Sequence, residues 1–230
     1  SLGQATVDTG GVYSVTTTSL SDGSYTLTAI VMDSAGNSSE ASVQFVLNID
    51  TVAPSAPAIA VATPTNDATP SIVGSAEANS EVTISDGGTV LGQATVDSAG
   101  AFSFVTATLS EGAHSITAVA TDSAGNTSAA SDTLSLVVDL TPPTITLTGA
   151  DVTVAHSGSY TDPGVTAQDT VDGSVTVNVS HAVDASSVGT YTVSYTASDS
   201  AGNSSTASRT VSITDQASPV ITMTGTTTVT

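Results

Sequence analysis

The sequence predicts an all-β protein made of tandem β-sandwich domains, about seven strands each, arranged end to end. Three observations support this prediction. Segments of the chain recur at an interval of 89 residues, apolar and polar residues alternate with period two, and Gly, Asn and Asp collect between the alternating segments. No stretch carries the 3.6-residue period of an amphipathic helix.

Internal repeats set the domain boundaries. Leu2-Gly-Gln-Ala-Thr-Val-Asp8 recurs as Leu91-Gly-Gln-Ala-Thr-Val-Asp97, and Asp-Ser-Ala-Gly-Asn occurs three times. An Asp followed four residues later by Pro recurs after each of these motifs, and because Pro cannot donate to a β-ladder it marks a crossing between domains. We therefore predict the C-terminal half of a truncated repeat at 1–51, complete domains at 52–140 and 141–215, and the start of a further truncated repeat at 216–230.

Strands within the repeat follow from the alternation. Glu81-Val-Thr-Ile-Ser-Asp86 and Ala101-Phe-Ser-Phe-Val105 switch between apolar and polar residues, with turn-forming residues between them. About seven such strands per 89 residues are typical of an immunoglobulin or fibronectin-III-like sandwich. Tyr25 and Tyr191 open equivalent strands, where His114 stands in the second repeat, and we interpret these as buried rings whose polar tip bonds nearby backbone.

Composition excludes several function classes. The chain has 21 acidic residues, of which 17 are Asp, and one basic residue, Arg209, for a formal net charge of -20. Such a surface cannot neutralise phosphates, so we expect no nucleic-acid partner. No window reaches the 18 or more consecutive apolar residues of a membrane helix, so we expect no membrane insertion of this segment. There is no Cys, the three His are isolated, and neither a Gly-x-Ser-x-Gly elbow nor a phosphate-binding glycine loop is present. We therefore expect no enzyme activity.

Several motifs resemble the bacterial Ig-like repeats of large adhesins. They are the Asp-to-Pro linkers, Thr65-Asn-Asp-Ala-Thr-Pro70, the Gly-Gln-Ala-x-x-Asp turn and Asp-Ser-Ala-Gly-Asn. Residues 144–214 are more similar to the Ig-like domain family first noted in pesticidal crystal proteins, through Gly158-Ser-Tyr-Thr-Asp-Pro-Gly164 and Asp169-Thr-Val-Asp-Gly173. The resemblance implies a type-I-secreted, RTX-type, calcium-dependent cell-adhesion protein at the bacterial surface, with calcium stiffening its domain junctions.

The residues themselves also favour calcium at the junctions. In a seven-strand sandwich the loops after alternate strands lie at the pole where the domain begins, so they should bring oxygen-bearing side chains to the incoming linker. Asp-rich clusters without a cation suit a metal that takes six to eight oxygen ligands. The predicted ligands form two groups, one at each junction: Asp50, Asp97, Asp122 and Asn126; then Asp139, Asp169, Asp172, Asp199 and Asn203.

A plain-turn interpretation of Asp-Ser-Ala-Gly-Asn stays open, because Asp bonds backbone two residues on and Gly or Asn adopts the left-handed conformation. Asp162, in Tyr-Thr-Asp-Pro-Gly, is predicted to be a turn residue at the opposite pole.

The leading functional hypothesis is a structural extender, or stalk, of a secreted or cell-surface adhesin. Its expected partners are neighbouring repeats of the same chain and, through other domains, a host-surface or biofilm component. Two alternatives are a carbohydrate- or protein-binding Ig-like module and an accessory region of a secreted hydrolase.

Overall fold

This computed structural model describes residues 1–222 and 225. The secondary structure of these residues consists of strands joined by loops and turns, with no helix. The strands are β1 (Gly23–Leu27), β2 (Phe45–Ile49), β3 (Ala58–Ala60), β4 (Ser71–Ser75), β5 (Glu81–Asp86), β6 (Thr89–Thr95), β7 (Ala101–Val105), β8 (Gly112–Thr121), β9 (Leu134–Val138), β10 (Thr144–Leu147), β11 (Val152–Ala155), β12 (Val165–Asp169), β13 (Gly173–Val175), β14 (Val177–His181), β15 (Gly189–Ser198) and β16 (Ser204–Thr214). The sheet orders are β1-β2, β3-β4-β7, β6-β5-β8-β9, β10-β12-β13 and β11-β16-β15-β14.

The all-β prediction is confirmed, and each predicted complete domain contains seven of these strands. Two compact units divide the described chain. The first comprises Ser1–Val61, Ser71–Thr106 and Ser115–Leu134, and the second comprises Ala62–Pro70, Ala107–His114 and the described residues from Ser135 onward. The domain boundaries therefore stay a prediction, and the predicted repeat start at 216–230 lies partly outside the described residues.

In the first unit, β5 pairs antiparallel with both β6 and β8, and β4 pairs antiparallel with β3 and β7. The alternation buries Val82 and Ile84 of β5 because successive side chains point to opposite faces. Phe102 of β7 packs directly on Gly74, where an added Cβ would collide with its ring. Small residues facing aromatic rings thus fill a core in a protein that has few aromatics.

In the second unit, β15 and β16 form the longest ladder, from Gly189↔Ile213 to Ser198↔Ser204. Val193, Tyr195, Val211 and Ile213 form the buried core between the sheets. The first strand is split: β10 joins β12, whereas β11 runs parallel to β16. Because of this split, the turn at Asp169 follows the third strand of its predicted domain.

The polar-tip interpretation is confirmed in all three repeats. The hydroxyls of Tyr25 and Tyr191 donate to the carbonyls four residues earlier, at 2.8 and 2.9 Å. A ring nitrogen of His114 lies 2.9 Å from the Ser110 carbonyl oxygen. The three rings are half-buried, and each one ties the start of its strand to the preceding loop.

Candidate metal centre

Three carboxylates converge in the second unit. Asp139 follows β9, Asp169 ends β12 and Asp199 follows β15. One oxygen from each lies within 4.8 Å of the other two. Sequence reasoning thus identified residues from three separate segments that the fold brings together.

Backbone contacts fix the position of Asp139. Its N–H donates to the Thr65 carbonyl at 2.9 Å, and its own carbonyl accepts a bond from the Asn203 amide at 2.8 Å. Asp139 is fully buried, at 0% exposure. Its Oδ1 accepts the Thr141 N–H at 3.2 Å, whereas its buried Oδ2 has no hydrogen-bond partner.

In Asp169, as in Asp139, one carboxylate oxygen accepts hydrogen bonds and the other has no partner. Oδ1 accepts the N–H groups of Val171 and Asp172, at 2.7 and 3.0 Å, which holds the β12–β13 turn. Oδ2 is buried and has no hydrogen-bond partner. Two buried carboxylate oxygens, one from Asp139 and one from Asp169, therefore lack any donor.

Asp199 caps its own loop. Oδ1 accepts the N–H groups of Gly202 and Asn203 at 2.7 and 2.8 Å, and Oδ2 accepts the Asn203 amide at 2.8 Å. The amide nitrogen of Asn203 therefore bridges the Asp199 carboxylate and the Asp139 carbonyl. We call this bridging amide of Asn203 the clasp. Because its nitrogen is engaged in these two hydrogen bonds, only its amide oxygen is left for a metal.

The electrostatics of the three carboxylates differ. Burial is the main cause that raises the pKa of Asp139, and the negative charges of Asp169, Asp199 and Glu111 raise it further. The pKa of Asp169 is lowered, chiefly by the hydrogen bond from the Asp172 N–H. Of these two carboxylates, Asp139 is therefore the one whose ionised form is less compensated by its protein surroundings.

Two further acids support the group from outside. Asp172 accepts the Ser200 N–H and hydroxyl, at 2.6 and 2.7 Å, and so ties one loop of the site to the other. Glu111 accepts the Thr141 hydroxyl at 2.6 Å. Sequence reasoning missed Glu111, because only the fold places its turn beside Thr141.

The predicted ligands of the other junction make turn hydrogen bonds in the first unit. The Asn126 amide donates to the Asp50 carbonyl at 3.1 Å and to Asp122 Oδ2 at 2.8 Å, as Asn203 does in its loop. Asp97 Oδ1 accepts the N–H groups of Ala99 and Ala101. Among the residues that the structure describes, the Asp139 group is the one acidic cluster spaced for a metal, and the ligand roles of Asp50, Asp97, Asp122 and Asn126 stay predictions.

A second charged group surrounds the buried Arg209. Its guanidinium donates to the Thr148 carbonyl at 2.8 Å and lies 4.0 Å from Asp162 Oδ1. Asp162 also accepts the Gly164 N–H at 2.9 Å and the Tyr195 hydroxyl at 2.7 Å. Asp162 is thus the turn residue that the sequence predicts, and in addition it is the counter-ion of the one basic residue.

Two family profiles match the chain. The profile described as bacterial Ig-like domain matches residues 1–51 and 60–141, more than half of the chain. The profile described as bacterial surface protein, Ig-like domain, matches residues 145–213. No curated protein sequence matches.

Solved structures are similar at low identity. A tetra-tandem repeat from the extending region of a large adhesion protein is 25% identical, with a TM-score of 0.36, over 91% of this chain and 62% of that one. The fibronectin(III)-like modules of Clostridium thermocellum CbhA are 19% identical, with a TM-score of 0.42, over 69% and 95%. A Ca2+-stabilized adhesin of an Antarctic bacterium that binds ice is 19% identical, with a TM-score of 0.39, over 84% and 57%. The chain thus spans less than two thirds of the length of both adhesin structures. No helix among the described residues is long and apolar enough to cross a membrane.

Proposed function

The chain belongs to the bacterial Ig-like domain family, and we propose that it is an extender segment of a large secreted or cell-surface adhesin. In this proposal a calcium ion bound by Asp139, Asp169 and Asp199 stiffens the junction between the predicted domains 52–140 and 141–215. The two buried carboxylate oxygens without a hydrogen-bond donor carry the proposal.

A cation is favoured because the carboxylates repel one another. Two unit charges 4.8 Å apart interact by about 3.5 kcal/mol at an effective dielectric constant of 20. The described surroundings of the group supply backbone N–H donors to its outer oxygens but no Lys or Arg. A divalent ion offsets two of the three negative charges and attracts all three side chains at once.

Calcium fits this donor set better than other common metals. All three side chains offer hard oxygen ligands, and the group contains no His or Cys, which zinc prefers. Two oxygens bound to one calcium at about 2.6 Å can be up to about 5.2 Å apart, whereas the limit for magnesium is about 4.2 Å. The three oxygens lie within 4.8 Å of one another, which is inside the calcium limit, and magnesium is usually bound by only one or two carboxylates together with several waters.

The mechanical consequence follows from chain order. Asp139 comes directly after the last strand of one predicted domain, whereas Asp169 and Asp199 lie in two loops of the next. An ion shared by all three therefore fixes the linker to both loops. Without it, carboxylate repulsion favours a looser linker. An extender needs this stiffness to hold a distal binding domain away from the cell.

Isothermal calorimetry of the full chain, stripped of metal, tests the ion site. We expect calcium to bind with a stoichiometry near one, with loss of that site in Asp139→Asn and in Asp169→Asn. Asp132→Asn is the matched control, because it removes one exposed carboxylate outside the group. Equal calcium binding in all four proteins would refute the assignment of the ligands.

Small-angle scattering tests the stiffening. We expect the maximum dimension and rigidity of the chain to fall when calcium is chelated, and to stay constant in Asp139→Asn. If the wild-type profile is the same with calcium and with chelator, the extender does not depend on the ion.

A further inference from the structure

Glu111 lies beside the three-carboxylate group without belonging to it. It is an exposed residue that directly precedes β8. It contributes no oxygen to the group in which Asp139, Asp169 and Asp199 lie within 4.8 Å of one another. Its Oε2 instead accepts the Thr141 hydroxyl at 2.6 Å, a short bond of the charge-assisted kind. None of the three proposed ligands explains this contact.

Thr141 links Glu111 to Asp139. Its hydroxyl donates to Glu111, and its N–H donates to Asp139 Oδ1 at 3.2 Å. Because the N–H engages Oδ1, the Oδ2 of Asp139 is the oxygen that stays buried without a partner. The position of the Thr141 backbone therefore decides which oxygen of Asp139 is available to a cation.

The Thr65-Asn-Asp-Ala-Thr-Pro70 motif holds the backbone on both sides of this link. The carbonyl of its first residue accepts the Asp139 N–H at 2.9 Å. The carbonyl of its fourth residue, Ala68, accepts the N–H of Leu109 at 2.8 Å, two residues before Glu111. The turn that carries Glu111 and the backbone of Asp139 are thus fixed to the same short segment.

We propose that Glu111 is a positioning residue of the calcium site, a role that rests on the proposed function. Through Thr141, its carboxylate holds Asp139 so that Oδ2 remains available to the ion. Glu111 belongs to predicted domain 52–140, and Thr141 opens predicted domain 141–215. Their bond therefore joins the two predicted domains across the linker without being a bond to the ion.

Two conservative substitutions separate this role from direct ligation of the ion by Glu111. Glu111→Gln removes the charge but keeps an oxygen that can accept the Thr141 hydroxyl. Thr141→Val removes the hydroxyl but keeps the N–H, the side-chain shape and every charge. Positioning makes Thr141→Val the more harmful change, whereas ligation makes Glu111→Gln the more harmful one.

Calcium calorimetry on the full chain provides the test. We expect Kd to rise about 10-fold in Thr141→Val and in Glu111→Ala, and to stay within about threefold in Glu111→Gln, with stoichiometry near one throughout. The double variant of Glu111→Ala and Thr141→Val should have the Kd of either single variant, because both changes remove the same bond. Thr192→Val, which removes an exposed hydroxyl of β15 outside the site, is the matched control.

Each other outcome overturns the role in its own way. Equal Kd in the wild type, Thr141→Val and Glu111→Ala would leave the calcium site intact and refute positioning by Glu111. Equal losses in Glu111→Gln and Glu111→Ala, with Thr141→Val unaffected, would assign Glu111 as a direct ligand. Independent losses that add up in the double variant would show that the two residues do not act through one bond. Absence of calcium binding to the wild type would overturn the proposed function and this role together.

Discussion

Replacing Asp139 with Asn tests whether Asp139 is a cation ligand or an acid with a purely structural role. The amide has the same shape as the carboxylate, and its oxygen can still accept the Thr141 N–H. The substitution removes one negative charge from a fully buried position. We expect the variant to be more stable than the wild type without calcium and less stable than the wild type with calcium.

The magnitude follows from the geometry. The oxygens lie within 4.8 Å of one another, so at an effective dielectric constant of 20 each of the two charge pairs that Asp139 makes with Asp169 and Asp199 costs at least about 3.5 kcal/mol. Relaxation of the surrounding loops and water relieves part of this repulsion, and burial and the neighbouring carboxylates raise the pKa of Asp139. We therefore expect a gain of about 2 kcal/mol in the calcium-free variant, which is roughly 10 °C in Tm for a domain of this size.

Calcium reverses the order. An ion present at 100 times its Kd stabilises the wild type by about 2.7 kcal/mol, and this gain should be lost in the variant. Thermal unfolding followed by circular dichroism, with calcium and with chelator, gives all four values. A calcium-free variant that is less stable than the wild type, together with an unchanged calcium shift, would contradict the reasoning.

The pH dependence of the same pair of proteins provides a second readout. Because the folded-state pKa of Asp139 is raised above 3.8, the Asp139 carboxyl of the calcium-free protein holds its proton more tightly when the protein is folded than when it is unfolded. Its contribution to stability is therefore present at low pH and lost as pH rises through the raised pKa. Asp139→Asn should lack this loss.

Three further predictions concern the remainder of the second unit. Asp162→Asn should lower stability at neutral pH by up to about 3 kcal/mol, since it leaves the buried Arg209 without its counter-ion. Burial raises the pKa of Asp162, but the hydrogen bonds from Gly164 and Tyr195 and the charge of Arg209 outweigh this effect, so the pKa is lowered. The stabilisation by Asp162 is therefore present above pH 3.8 and lost in acid. Urea melts over a series of pH values check this dependence. Tyr191→Phe should cost about 1 kcal/mol in the same melts, because it removes the hydroxyl bond to backbone. Native protein should resist trypsin, since its one cleavage residue, Arg209, is 1% exposed within β16; rapid cleavage by gel assay under native conditions would contradict this burial.

Periodicity was sufficient to predict most of the fold. Glu81–Asp86 and Ala101–Val105 are strands with the bounds that alternation indicates. Successive side chains of a strand point to opposite faces, so a half-buried strand has alternating apolar and polar residues in its sequence. The split of the first strand into β10 and β11 could not be predicted. Parallel pairing of β11 with β16 depends on contacts about sixty residues apart, which no local pattern records.

The site was predictable in part for a related reason. Repetition of the linker and of Asp-Ser-Ala-Gly-Asn placed Asp139 and Asp199 at one pole, and the structure brings them together. Glu111 and the counter-ion role of Asp162 were missed, because their partners, Thr141 and Arg209, are neighbours only in the folded chain. The sequence of a turn motif does not show whether a side chain from a distant part of the chain contacts its carboxylate.

The three copies of Asp-Ser-Ala-Gly-Asn explain why such a motif alone is not a metal site. In every copy the Asn amide donates a hydrogen bond to the Asp carboxylate, at 2.8 to 2.9 Å, so the carboxylate has a hydrogen-bond donor within its own loop. In the second and third copies the amide also holds the linker carbonyl of Asp50 or Asp139, which positions the linker without any ion. What distinguishes the third copy is Asp169, which adds a second buried carboxylate oxygen without a donor and contributes an oxygen within 4.8 Å of Asp139. The clasp therefore sets the geometry of the linker, and the added carboxylate creates the negative charge that a cation would neutralise.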